Sequence, residues 1–271
     1  MHTTPSGRFL GRKRDLFDPR DLFWTPGSRL LSQKLPSAVD VCAGLIMPPI
    51  FDQGNEGSCT ANAGIRFFRW LALKHPTLVP GPHATLSRQA QYYWERALPW
   101  NDDTNQDAGA STRDIYRVLQ VIGTCPEADD PYLPSTIYSN PGPKAVADAY
   151  HRRIKDYYRI TSVQNLKLML ASGQAGTVGF ALSPENAASL DAVGPSGIWT
   201  PNLTDTNANE GHETFLHGYD DSVNGGSFLF DNSWGAAWGA EGKFWMPYDF
   251  LEAFNVSQWD SWTGHLADES N

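Results

Sequence analysis

The stretch Phe51-Asp52-Gln53-Gly54-Asn55-Glu56-Gly57-Ser58-Cys59-Thr60-Ala61 runs from a polar, glycine-broken loop straight into a helical pattern. Beyond it, Ala61, Ile65, Phe68 and Ala72 form one apolar stripe, which Phe67, Trp70 and Leu71 widen. A helix that is apolar on more than one face is a buried helix. Ser58 suits an N-cap and Pro76 a stop, so the pattern predicts a central helix over 58–75. Cys59 then lies in the first turn, where the helix dipole favours thiolate, the nucleophilic form. The open N–H groups of a helix start, together with the Gln53 amide, are the donors an oxyanion needs. Taken alone, Cys59 also fits a small buried hydrophobe.

Outward from this helix, the first half of the chain stays helical. Residues 87–98 carry an aromatic face, Tyr92-Tyr93-Trp94. Over 111–122, Ser111 and Asp114 form a capping box, Ile115, Val118, Leu119 and Ile122 share a face, and Gly123 ends the helix. Residues 77–85, 100–109 and 130–145 read as loops. The second half changes period. Residues 157–161, 177–182, 213–219, 227–231 and 243–246 read as strands, with a short helix over 166–171. Asn224-Gly225 is a hairpin signal between two of the strands. Helices first and strands later indicate an α+β fold with a helical half and a sheet half. Residues 1–47, rich in Pro, Arg and Asp, read as an extended arm ahead of one domain over 48–271. Within that domain 48–150 is mainly helical and 151–271 is β-rich.

Two further strings carry chemistry. Gly211-His212-Glu213-Thr214-Phe215-Leu216-His217-Gly218-Tyr219 places a histidine at a strand start. Its two histidines are one position too far apart for the helical zinc motif H-E-x-x-H, and in a strand they face opposite ways, so no shared metal is expected. His217 is then a core residue or packs behind the sheet. In Asn232-Ser233-Trp234-Gly235-Ala236-Ala237-Trp238-Gly239, an asparagine carbonyl can accept a histidine ring N–H and so set its tautomer, with Trp234 covering the bond.

In order and content the three strings resemble the papain-like cysteine peptidases, in their compact bacterial or viral branch. His212 and Asn232 follow Cys59 by 153 and 173 residues, just beyond the ~130–150 typical of that family. The resemblance runs from about residue 48 to 250. It implies a cleft between the helical half and a twisted antiparallel sheet half, with Cys59 as nucleophile and His212 as general base and acid. Asn232 would orient His212, and Gln53 would be an oxyanion donor. It further implies that Gly109 and Ala110, in Asp107-Ala108-Gly109-Ala110-Ser111, pair with substrate backbone, and that Trp234 borders the substrate site. No cofactor or metal is implied. Three departures stand out: Thr60 replaces an aromatic residue, Glu56 a disulfide cysteine, and Glu213-Thr214 a small apolar pair. Glu213 should point away from His212.

Composition sets the outer bounds. The 271 residues are 41% hydrophobic and 19% charged, ordinary for a soluble domain. A net charge of −9 argues against a nucleic-acid partner, whose phosphates call for a basic excess. No apolar run reaches the length of a membrane span and no secretory signal is evident. Three cysteines do not make a disulfide framework, so a cytoplasmic or other reducing compartment fits. Cys42 and Cys125 read as buried free thiols. His75, His83, His151 and His265 read as surface residues, and the sequons at Asn202 and Asn255 as pattern only. The partner expected is a peptide or protein substrate, met by a monomer with no membrane involved. Two alternatives remain: an acyltransferase or deamidase using the same thioester, and a catalytically silent binding module of the same shape.

Overall fold

The helix expected over 58–75 spans Cys59–Lys74, and it is buried without a break from Cys59 to Ala72. Everything else is arranged around it. The computed structural model describes residues 2–81, 84–101, 103–205, 207–253 and 259–267. His83 and the sequon at 255–257 lie outside the described residues.

In chain order the elements are β1 (His2–Thr3), β2 (Phe9–Leu10), β3 (Arg12–Lys13), α1 (Ser28–Leu31), β4 (Ala38–Asp40), α2 (Cys59–Lys74) and α3 (Arg88–Ala97). There follow β5 (Ala110–Ser111), α4 (Thr112–Val121), α5 (Pro143–Ala149), β6 (Asp156–Arg159), α6 (Val163–Ala171) and β7 (Gly176–Leu182). The chain ends with α7 (Pro184–Asp191), β8 (Glu210–Asp220), β9 (Ser227–Asp231), β10 (Lys243–Pro247), α8 (Tyr248–Ala253) and β11 (Trp259–His265). The main sheet runs β10-β9-β8-β7-β11-β6, antiparallel at each of these pairings, and β4 joins β8 beyond the end of β7. The architecture is the α+β arrangement expected, with helices α2, α3 and α4 on one side of a cleft and the sheet on the other.

The capping box at Ser111 and Asp114 forms as expected and starts α4. Gly64 lets α2 and α4 approach, since a Cβ there would sit 2.4 Å from Ile115 Cγ2. The core lies between α2 and the sheet, with Ile65, Phe67, Phe68 and Leu71 against Phe215, Leu216, Phe228 and Phe230. One buried ion pair crosses it: Arg66 Nε donates to Asp231 Oδ2 at 2.6 Å.

The structure departs from the sequence reading in several elements, α7 and α8 among them. A helix, α5, begins inside the loop expected over 130–145, with Pro143 in its first turn. Strand β11 was not anticipated. The arm drawn over 1–47 is not one unit: β4 pairs with Gly218–Asp220 of β8, so the body begins before residue 48, and the segment that enters the cleft is Arg8 to Asp15.

Candidate active site

Cys59 opens α2 and His212 lies on β8, both fully buried. Asn232 follows β9 directly. Its Oδ1 accepts the Ser233 backbone N–H at 2.8 Å, which fixes the orientation of the amide. The same oxygen lies 2.7 Å from His212 Nε2, so Nε2 must be the nitrogen that carries the proton. The lone pair is left on Nδ1, which is buried and has no hydrogen-bond partner among the described residues. Trp234 covers the imidazole at 4.8 Å between ring centroids, and Phe180 meets it edge-on. Burial pushes His212 down to about 4, against the pull of Asn232.

Gln53 is held on three sides. Its backbone N–H donates to Ser233 O at 2.8 Å and its Oε1 accepts from Ser233 Oγ at 2.6 Å. That leaves Nε2 free to donate to Glu56 O at 2.7 Å and to Phe9 O at 3.1 Å. The second acceptor is a carbonyl of the N-terminal arm.

The arm fills the cleft. Arg8 donates to Asp52 Oδ1 at 2.8 Å and to Trp234 O at 3.2 Å. Gly11 passes over the loop that leads into Cys59 so closely that a Cβ on it would lie 2.0 Å from Gly57 O. Gly11 O accepts from Ala110 N at 3.1 Å, and β3 pairs with β5 in parallel, Arg12 beside Ala110. Gly109, at φ +71°, leaves room for this contact, because a Cβ there would lie 1.7 Å from Gly11 O. Ala110 thus pairs with the extended backbone of the chain's own arm, and Gly109 makes room for it.

Under this cover Cys59 is a thiol. Burial pushes it up to about 12. Backbone hydrogen bonds from Gly11 and Glu213 pull the other way, while the Glu213 and Glu95 carboxylates reinforce the rise. The helix start alone was expected to favour thiolate, but desolvation beneath the arm outweighs it. Burial beneath the arm thus works against a thiolate–imidazolium pair at both ends.

The other candidates fall as follows. Trp234 is 1% exposed beneath the arm, with its ring between His212 and Trp238, and it covers the imidazole. Glu213 does point away from His212 and accepts from Thr112 Oγ1 at 2.6 Å. Cys42 is half-buried rather than buried, and Cys125 is a buried free thiol. His265 is half-buried and bonds Gln174 at 2.7 Å rather than lying free at the surface.

His212 and His217 take separate partners. Asp40, Cys42 and His217 bring ligand atoms within 4.8 Å of one another. However, His217 Nδ1 lies 2.9 Å from Asp40 Oδ1 and Nε2 lies 3.2 Å from Asp231 Oδ1. That is an imidazolium between two carboxylates, which a metal would have to displace.

Residues to which the sequence reading gave no role hold the loop that leads into Cys59. Asp107 accepts the Gly57 N–H on both oxygens, at 3.1 and 3.0 Å. Tyr132 OH joins Ser58 Oγ at 2.6 Å and Gln53 O at 3.0 Å. These bonds tie down the loop on both sides of Glu56. Only the nearness of Asp107 to Gly109 in the sequence hinted at the first.

A family model described as papain family cysteine protease matches residues 35–258. Xylellain, a cysteine protease from Xylella fastidiosa, superposes with a TM-score of 0.82 at 28% identity, covering 98% of each chain. An uncharacterised peptidase C1-like protein of Acanthamoeba polyphaga mimivirus is 29% identical over 78% of this chain and 68% of its own length. Cysteine proteinase 1 of Entamoeba histolytica is 28% identical over 79% of this chain and 64% of its own length. The residues that fill the cleft, Arg8 to Asp15, precede the family match.

Proposed function

This chain belongs to the papain family of cysteine proteases, and from that premise we propose that it cleaves peptide bonds through a thioester on Cys59, with Arg8 to Asp15 as the latch that must first leave the cleft. It is a cysteine-type peptidase, and its substrates are proteins or peptides. Among the described residues no helix is long and apolar enough to cross a membrane.

With the latch withdrawn, water and substrate reach the sulfur, and the desolvation that holds Cys59 neutral is relieved. The thiol proton passes to His212 Nδ1, the ring nitrogen left open by the Asn232 bond. The thiolate attacks the scissile carbonyl carbon. The oxyanion takes the place of the Phe9 carbonyl on Gln53 Nε2 and is also bound by the Cys59 backbone N–H. Donors of this kind typically contribute ~2.7–4 kcal/mol each. As the tetrahedral intermediate collapses, the C–N bond breaks and His212 returns its proton to the leaving amine. A water then gives a proton to His212 and hydrolyses the thioester, which frees the acid product and the thiol. No step in this sequence calls for a metal or an organic cofactor.

The observation that carries this reading is the buried His212–Asn232 bond with Nδ1 left open. The test is to incubate full-length protein, Cys59→Ala and His212→Ala with denatured casein and to map new termini by mass spectrometry. New termini are expected from the wild type and from neither variant. Glutamine deamidation or amine incorporation without new termini would replace hydrolysis by acyl transfer.

A further inference from the structure

The catalytic steps leave one buried cluster unused, in the sheet beside the cleft. Glu213, Gly179 and Asp260 are direct neighbours on three adjacent strands, β8, β7 and β11. Paired residues of adjacent strands present their side chains on one face of the sheet. Two carboxylates therefore flank a position with no side chain. A Cβ on Gly179 would lie 2.3 Å from Glu213 Oε2, 2.5 Å from Thr112 Oγ1 and 2.6 Å from Arg12 Nε. The glycine leaves a hollow, and Arg12 of the latch fills it. Glu213 is 1% exposed, Asp260 2% and Arg12 7%. The Arg12 guanidinium donates to Asp260 through Nη2, while its Nε has no hydrogen-bond partner among the described residues.

We propose that this hollow selects a basic side chain, arginine above all, in the peptide that replaces the latch. The inference rests on the peptidase reading and supplies its substrate class. Withdrawal of the latch removes Arg12 together with Asp15, whose backbone N–H donates to Asp260 Oδ2 at 3.0 Å. Glu213 is then left to the Thr112 and Thr177 hydroxyls, and Asp260 to Arg159. Two carboxylates would face the hollow with one guanidinium between them. An apolar side chain would bury them uncompensated, which is costly. An acidic one would set a third carboxyl against them with no added cation. Lysine brings one compact charge, whereas the guanidinium fork reaches acceptors on both sides at once. Burial raises both Glu213 and Asp260 and Arg12 draws each back, so a cation entering the hollow favours their ionised forms. The latch sets the register, with residue 11 over Cys59 and residue 12 in the hollow, so the selected side chain lies next to the reacting position.

The test uses full-length Arg12→Ala, in which the latch has lost its plug, with Arg12→Lys beside it in case the alanine variant does not fold. Peptidyl chloromethyl ketones are scanned with Arg, Lys, Leu or Glu at the two residues nearest the reactive carbon, and Cys59 modification is followed by intact mass. The arginine probe is expected to react about tenfold or more faster than the leucine probe. Adding Asp260→Asn or Glu213→Gln should cut that ratio severalfold, while iodoacetamide labels the Asp260→Asn form at an unchanged rate. Leucine reacting as fast as arginine, or a ratio indifferent to both substitutions, overturns the proposal. If iodoacetamide takes Cys59 and no peptidyl probe does, the peptidase reading falls separately. The hollow is then judged by n-propylguanidinium. A rise in the Tm of Arg12→Ala that is lost in Arg12→Ala/Asp260→Asn supports it, and no rise overturns it.

Discussion

Strand β8 carries two histidines five positions apart, both fully buried, and they behave in opposite ways. His212 meets one neutral amide, so burial prevails and pushes it down to about 4. His217 lies between Asp40 and Asp231, and the two carboxylates overcome the same burial and hold it well above the ordinary imidazole range. Asp231 is held low in turn by His217 and Arg66, although its burial opposes this. One histidine is kept neutral with an open lone pair, as a proton acceptor requires. The other is a fixed cation that ties β4, β8 and β9 to α2. Burial alone does not assign a histidine its role. The charge of its nearest partner does.

The largest way to break this contrast is at the neutral ring. His212→Ala should lower kcat/KM for peptide hydrolysis by about 10⁴-fold, the upper range for a general base, and leave the Tm close to wild type. His217→Ala should do the reverse, lowering Tm while kcat/KM of the folded protein stays close to wild type. If both variants lose activity at unchanged Tm, the division of labour is wrong.

Next in size is the ion network. Asp231→Asn strands Arg66 and His217 in the interior, and removing one partner of a buried pair costs about 3–5 kcal/mol. Urea unfolding should register that loss, and His217→Ala should cost less because Arg66 keeps Asp231. The network also sets a pH window. Asp231 is depressed, so its contribution is present above about pH 4 and is lost as the pH falls. His217 is raised, so its contribution is complete below about pH 6.5 and is lost as the pH rises through its folded value. The Tm gap between wild type and Asp231→Asn should therefore be widest between these limits and narrow on either side. A gap that does not vary with pH would refute the charge assignment.

How much of this was legible in the sequence depends on whether the signal was local. Helix α2 could be read from its apolar faces, and α4 from Ser111, Asp114 and Gly123. Strands β7, β8 and β9 were within two or three residues of their observed ends because apolar and β-branched residues cluster there. Strand β11 was missed because it is buried on both faces yet carries Asp260, Ser261 and Thr263, so it shows neither alternation nor an apolar run. The Gly142-Pro143 start of α5 was hidden among neighbouring prolines. The candidate triad was legible only when three distant strings were taken together. Of the latch only an extended arm could be read, and its path into the cleft could not. Gly11 meets Gly57 and Gly109 through contacts about 50 and 100 residues away, and nothing local encodes them. Glu213 had been noted only as a departure, and its meaning depends on Arg12 and Asp260, neither of which is near it in sequence.

The finest way to sharpen the contrast is to give His212 the kind of partner His217 has. Asn232→Asp keeps an oxygen for the Ser233 N–H and for His212 Nε2 but adds a negative charge beside the ring. An adjacent opposite charge typically raises such a group by about 1–3 pH units. His212 should then titrate close to or above its ordinary value rather than near 4, as followed by NMR of the imidazole nitrogens in Cys59→Ala to avoid turnover. The stability consequence has a definite sign. In the wild type His212 is depressed, so folding loses stability as the pH falls from about 6.5 towards its folded value. In Asn232→Asp that acid penalty should shrink, so its Tm should gain on the wild type between pH 7 and pH 5. A ring that still titrates near 4 beside a carboxylate would mean that burial under Trp234, rather than the identity of the partner, governs this histidine.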